Sequence, residues 1–168
     1  MDSIIFQSPE YELVQRFYHG KTAQRSDLPY NHINEGLEIL DRINARYFSK
    51  LAYCLHPLLQ DNNDLAANYH RNCYAGIDAK SIILAMEYRA VANRYLSTDN
   101  FEVHEIKLGP LPEIREMLIA DKVQNRKDFE RFHKGTHPRS KELEEYFRKW
   151  MERFPIYEDE YQKLISGL

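Results

Sequence analysis

The chain has 168 residues, 43% of them hydrophobic and 29% charged, with six glycines and a net charge of −3. That length and composition fit one folded domain with a single core and argue against extended disorder. The balance excludes a global basic field for nucleic acid, and the longest apolar run, "IILAM" at 82–86, is far too short to span a membrane.

The N-terminal "MDSIIFQSPEYE" has no basic region ahead of a long apolar run, so no signal peptide is expected. Cys54 and Cys73 lack CxxC spacing and are expected to be reduced thiols of a cytoplasmic chain. In "HINEGLEILDRINARYF" a helical stripe runs through Ile33, Leu37, Leu40, Ile43 and Tyr47. "SKLAYCLHPLL" repeats the pattern with Leu51, Leu55 and Leu58, and Ser49 is the candidate N-cap. "SIILAMEYRAVANRYL" reads as a buried helix with Ile83, Met86, Ala90 and Leu96 inward. "LPEIREMLIADKVQNRKDFERF" opens after Pro110 and Pro112 and packs through Ile114, Met117, Leu118 and Val123. "PRSKELEEYFRKWMERF" and "EDEYQKLISGL" complete the series, the last helix short and opened by acidic residues.

No segment sustains period-two alternation. "FEVHEIKL" at 101–108 comes nearest, but one strand would lack a partner, so it is read as a loop. Further loops are expected near 20–29, 60–64, 72–78, 97–110 and 134–138. The expectation is one all-α domain over residues 1–168, a compact multi-helix bundle.

Polar residues at or near helix ends are the candidates for chemistry: His32, His56, Asp61, and Asp121 with Asn125, the last two sharing a helix face. Imidazole and carboxylate groups from different helices suit a divalent transition metal. Arg89 and Asn93 share a face of their helix, which reads either as an amphipathic helix edge or as a phosphate contact. Tyr30, close to His32, is the candidate for stacking on a base. The pair His133 and His137 brackets Gly135, which argues for a turn rather than a metal-binding helix face.

In order, "PYNHINEGLEIL", "AYCLHPLLQDNNDL" and "IADKVQNRKDF" resemble the three blocks of the HD-domain hydrolases of the RelA/SpoT and Mesh1 type, "PYxxHPxxVAxIL", "AALLHDxxEDT" and "LADxxxN". The resemblance covers about residues 25–130, with the C-terminal helices over 138–168 appended. It implies an all-helical fold and removal of the 3′-pyrophosphate from guanosine tetraphosphate. It also implies that His32, His56 and Asp121 are metal ligands, that Asn125 faces substrate, and that Arg25 lies near the nucleotide. Asp61 would be the retained member of the family's Glu-Asp pair.

Two departures stand out. The family's HD aspartate is Pro57 and the glutamate of its Glu-Asp pair is Gln60. Proline carries no ligand atom and is expected to end the helix. A carboxamide cannot take a proton from water as a carboxylate does. Three ligands suffice for many metal sites, but affinity should fall, so a divalent ion (manganese, zinc or iron) is expected to be held weakly or not at all.

The reading is therefore a nucleotide-binding protein on a degenerate HD scaffold. It would sequester a signalling nucleotide without efficient turnover, and conflict between phage and host is one possible setting. The alternative is a metal-dependent phosphohydrolase of a nucleoside polyphosphate that uses Gln60 and Asp61; a third reading is an interaction protein with a vestigial pocket. The expected partner is a small-molecule nucleotide, with no nucleic acid or membrane, and a homo-oligomer is compatible with the sequence.

Overall fold

A computed structural model describes residues 4–18, 29–71, 73–95 and 101–168, without the side chains of Pro29 and Tyr30. Among the described residues the secondary structure is helical throughout, with no strand. The helices are α1 (Pro9–Tyr18), α2 (Pro29–Arg42), α3 (Tyr47–Gln60), α4 (Asn62–His70), α5 (Ala79–Arg94), α6 (Pro112–Asp128), α7 (Ser140–Arg153) and α8 (Glu158–Ile165). Short 3-10 turns occupy Ile5–Gln7 and Val103–Glu105, so "FEVHEIKL" is irregular as expected, and a π-helical turn, Phe129–His133, extends α6. No helix is long and apolar enough to cross a membrane.

α3 is the axis of the fold and packs against α1, α2, α4, α5 and α6. Its sequence explains why: Ser49, Leu51 through His56, Leu58 and Leu59 are all buried, and a helix apolar on every side must be enclosed. α6 lies beside α2, α3 and α5 and buries the expected Ile114, Met117, Leu118 and Val123. α7 and α8 close over α6, and α8 also touches α2. Trp150 of α7 is fully buried among Tyr95, Tyr146 and Phe154. Arg42, ending α2, donates to the carbonyls of Lys163, Leu164 and Ser166 (3.1, 2.7 and 2.8 Å). It thereby satisfies acceptors that the end of α8 leaves unpaired.

Several local expectations are corrected. The stripe from Ile33 does not continue to Tyr47. α2 ends at Arg42, Asn44 adopts a left-handed backbone (φ 52°), and Tyr47 starts α3 largely exposed. Asn tolerates that conformation because its short polar side chain can bond locally. Ser49 lies inside the first turn of α3, and its hydroxyl donates to Glu116 (2.6 Å). α5 buries Ser81, Leu84, Ala85, Tyr88, Val91 and Ala92, while Ile83 and Ala90 face out; its apolar residues surround the axis, so spacing alone selected the wrong face. Leu96 lies outside the described residues. The expected loop at 60–64 shrinks to Asp61, because α4 begins at Asn62.

Pro57 does not end α3, which continues to Gln60. An interior proline costs about 3 kcal/mol by deleting one N–H and crowding the carbonyl four residues back, here that of Tyr53. That carbonyl is not orphaned, because His56 Nδ1 lies 2.6 Å from it. Two carbonyls beyond it are also satisfied from outside the helix. Asn68 Nδ2 donates to Leu58 O (3.0 Å), and Arg89 Nε (3.2 Å) and Asn93 Nδ2 (3.0 Å) donate to Gln60 O.

Candidate metal centre

α2, α3 and α6 pack pairwise and bring three side chains to one point. His32 Nε2 is 3.1 Å from His56 Nε2 and 3.7 Å from Asp121 Oδ1, and ligand atoms of all three lie within 4.8 Å of one another. These residues can hold a metal ion. His56 and Asp121 are buried, whereas the His32 side chain is 22% exposed, so the group is reached from the His32 side.

The decisive feature is the proton inventory. Carbonyl oxygen only accepts, so His56 donates from Nδ1 to Tyr53 O (2.6 Å). The amide nitrogen of Gln124 donates to Glu35 Oε2 (3.0 Å) and Asp128 Oδ2 (2.7 Å), which fixes the amide's orientation. Its oxygen therefore faces His32 Nδ1 (2.6 Å) and must accept from it. With both Nδ1 atoms donating, a neutral His32 and His56 direct Nε2 lone pairs at each other across 3.1 Å. Two acceptors at that distance repel unless a cation lies between them. Metal-binding histidines show this same pattern, one ring nitrogen anchored to an acceptor and the other free.

His56 does not supply that cation by taking up a proton. Burial, reinforced by the neighbouring His32 ring, pushes the His56 pKa down to about 3. Asp121 supplies the negative charge. Burial opposes its ionisation, but the Lys122 ammonium outweighs it and holds the carboxyl well below the usual range. Lys122 Nζ donates to Asp121 Oδ2 (2.8 Å), and Asn125 Nδ2 donates to Oδ1 (2.8 Å). Burial works against the Lys122 charge, but Asp121 outweighs it and raises the ammonium pKa.

Linkage gives a pH prediction for the protein without metal. His56 has a lower pKa folded than unfolded, so its contribution is present above 6.5 and is lost as pH falls from 6.5 towards 3. Asp121, also depressed, withdraws its share only below its ordinary value of 3.8. Urea unfolding between pH 7 and pH 4 should therefore show falling stability, and His56→Gln should flatten the slope.

Two phenols border the site. Tyr53 is fully buried with its hydroxyl 3.4 Å from His32 Nε2. Tyr88 packs edge-on to His56, and its buried hydroxyl faces Asp121 without making a hydrogen bond.

The other candidate residues fall into different places. Asp61 is the N-cap of α4, its carboxylate accepting from the backbone of Asn63 (2.7 Å) and Asp64 (3.2 Å), a contact type that stabilises by about 1 kcal/mol. Arg89 and Asn93 hold the end of α3 at Gln60 O, and Arg89 also pairs with Asn62. Asn125 braces Asp121. Arg25 and the Tyr30 side chain lie outside the described residues. His133 ends the π-helical turn and His137 lies in the bend after Gly135, where its Nδ1 accepts from Arg139 N (3.0 Å).

The supporting layer, Gln124, Glu35, Tyr53, Lys122 and Lys127, was not anticipated. Its signal was present: Glu35, Gln124 and Tyr53 each stand three residues from a ligand, a spacing that shares a helix face. Lys127 holds both Glu35 oxygens (2.7 Å each) and pairs with Asp128 (3.1 Å).

A cleft of about 450 Å³ lies elsewhere, lined by Arg126, Phe129, Lys134, Phe147, Arg148 and Tyr157 among others, and it contains none of the three ligands. Its cations are already matched: Arg126 with Glu130 and Glu158, Lys134 with Glu144, Arg148 with Glu145 and Glu152. Compared with protein-family models, curated proteins and solved structures, the chain finds no match.

Proposed function

We propose that this chain binds a nucleoside polyphosphate through a divalent ion held by His32, His56 and Asp121, without efficient turnover. The observation that carries the reading is the pair of imidazoles whose Nδ1 atoms are both committed, leaving two Nε2 atoms 3.1 Å apart beside an ionised Asp121. A bound ion supplies positive charge that neutralises phosphate oxygens. The side chains hold and orient it: His56 and Asp121 from inside, His32 at the rim.

The reading of no efficient turnover is supported by how the carboxylates of the chain's candidate positions are used. Asp121 is engaged by Lys122 and Asn125. Glu35 and Asp128 are tied to Lys127 and Gln124, and Asp61 caps α4. A general base must be within reach and able to take a proton, and position 60 carries a carboxamide. A second reading, a phosphohydrolase, is favoured by the ligand number, since three protein ligands with a remaining open position are common in catalytic centres. In both readings Arg25, Tyr30, Arg89, Asn93 and Asn125 are the candidates for contact with the nucleotide, and the scaffold is that of the HD-domain hydrolases.

Calorimetric titration with guanosine tetraphosphate and with GTP, in manganese or in chelator, tests the proposal. Chromatography of the same mixtures follows hydrolysis. Metal-dependent binding that disappears in His56→Ala, with the nucleotide recovered intact, is expected. Multiple turnovers would replace this reading by the second, and no binding in either condition would sink both.

A further inference from the structure

We infer that Pro57 is a positioning residue of the metal centre, one that sets the tautomer of His56 by leaving the Tyr53 carbonyl free for its Nδ1. The inference rests on the reading of His56 as a metal ligand. In an uninterrupted α-helix the N–H of residue 57 would donate to the carbonyl of residue 53. Proline has no such hydrogen, and its ring crowds that carbonyl away from the helix axis. The displaced acceptor is the one that His56 Nδ1 meets at 2.6 Å, and α3 runs on to Gln60 despite the lost bond.

The consequence falls on the other ring nitrogen. A histidine whose Nδ1–H is anchored keeps Nε2 as a lone pair, and that Nε2 faces His32 Nε2 at 3.1 Å and the Asp121 carboxylate. His32 obtains the same tautomer from a side chain, the Gln124 amide, whereas His56 obtains it from its own helix. The proline therefore exchanges a backbone hydrogen bond for an oriented ligand. Such outer contacts to metal-binding histidines are commonly worth 10- to 100-fold in metal affinity.

The test compares the full chain with Pro57→Ala. Alanine restores the N–H, which draws the Tyr53 carbonyl back into the helix and away from the imidazole. The expected result has three parts: a thermal midpoint unchanged or raised, zinc affinity lowered by about 10- to 100-fold, and a ¹⁵N side-chain NMR signature of His56 that loses the pure Nδ1–H form. A residue that merely shaped the helix would not move that signature in a stable variant. Zinc affinity equal to that of the wild type, with the same His56 tautomer in both proteins, would overturn the inference. If Pro57→Ala does not fold, the metal-free wild type decides alone: Nδ1–H at His56 supports the inference and Nε2–H overturns it. If the wild type takes up no zinc, the metal-centre reading falls, and the tautomer comparison still judges Pro57 separately.

Discussion

Asp121→Asn should cost the fold roughly 3–5 kcal/mol, the range for stripping the partner from a buried charge. Lys122 is 3% exposed and its ammonium donates to Asp121 Oδ2 at 2.8 Å. Asparagine keeps the shape and an acceptor for Asn125 but removes the charge that Lys122 is buried against. The ammonium also lies by the rings of Tyr146 and Trp150, at 5.6 and 5.3 Å, and cation–π contacts of this kind supply about 0.5–2 kcal/mol. That is too little to replace the carboxylate. Adding Lys122→Met should recover most of the loss, since an apolar substitute for a buried pair is often neutral or better. It should not recover metal binding, because a carboxamide is a poor ligand beside two neutral imidazoles. Urea unfolding of the three proteins measures this; a cost below about 1 kcal/mol for Asp121→Asn would mean that Lys122 reaches solvent easily, against its burial.

Gly36→Ala should destabilise although it adds a better helix former. On an exposed helix the exchange gains about 0.5–1 kcal/mol. Gly36 is buried on α2, however, and an alanine methyl there would overlap the phenol of Tyr53. Tyr53 has no room to yield, since it is fully buried with His32 stacked at 5.9 Å and His56 at 4.5 Å between ring centroids. Overpacking of a tight core costs about 1–3 kcal/mol and occasionally more, and the depth of this overlap puts the net loss at about 2 kcal/mol or above. A domain of this size should then melt roughly 4–8 °C lower. Tyr53→Phe in the same background should rescue little, because ring carbons as well as the hydroxyl are overlapped. A midpoint equal to or above the wild type would show that α2 and α3 are not in the contact described.

The legible parts of this protein are those with a period. The all-α class and the inward face of α6 follow from spacing, the short acidic start of α8 from its composition, and His32, His56 and Asp121, the group that could hold an ion, stand out as His and Asp residues on separate helices. α4 was missed because "NNDLAANYH" has no apolar stripe; its only fully buried residue is Asn68, held by a hydrogen bond to α3. Pro57 was read by its usual effect, which is to stop a helix, and the substitute donor for the Tyr53 carbonyl is visible only in three dimensions. The layer behind His32, His56 and Asp121 left only a three-residue spacing as its trace in the sequence. Glu35 and Gln124 look like ordinary surface residues in the sequence, yet they fix the His32 ring, and their role appears only once α2 and α6 are placed side by side.

The proposed function depends on whether His32, His56 and Asp121 hold a divalent ion. Calorimetric titration of the chelator-stripped chain with zinc, run in parallel with His56→Ala, measures this most directly. The predicted result is one zinc ion per chain in the wild type and loss of that uptake in the variant. No uptake by the wild type, or uptake that His56→Ala leaves unchanged, would contradict the account.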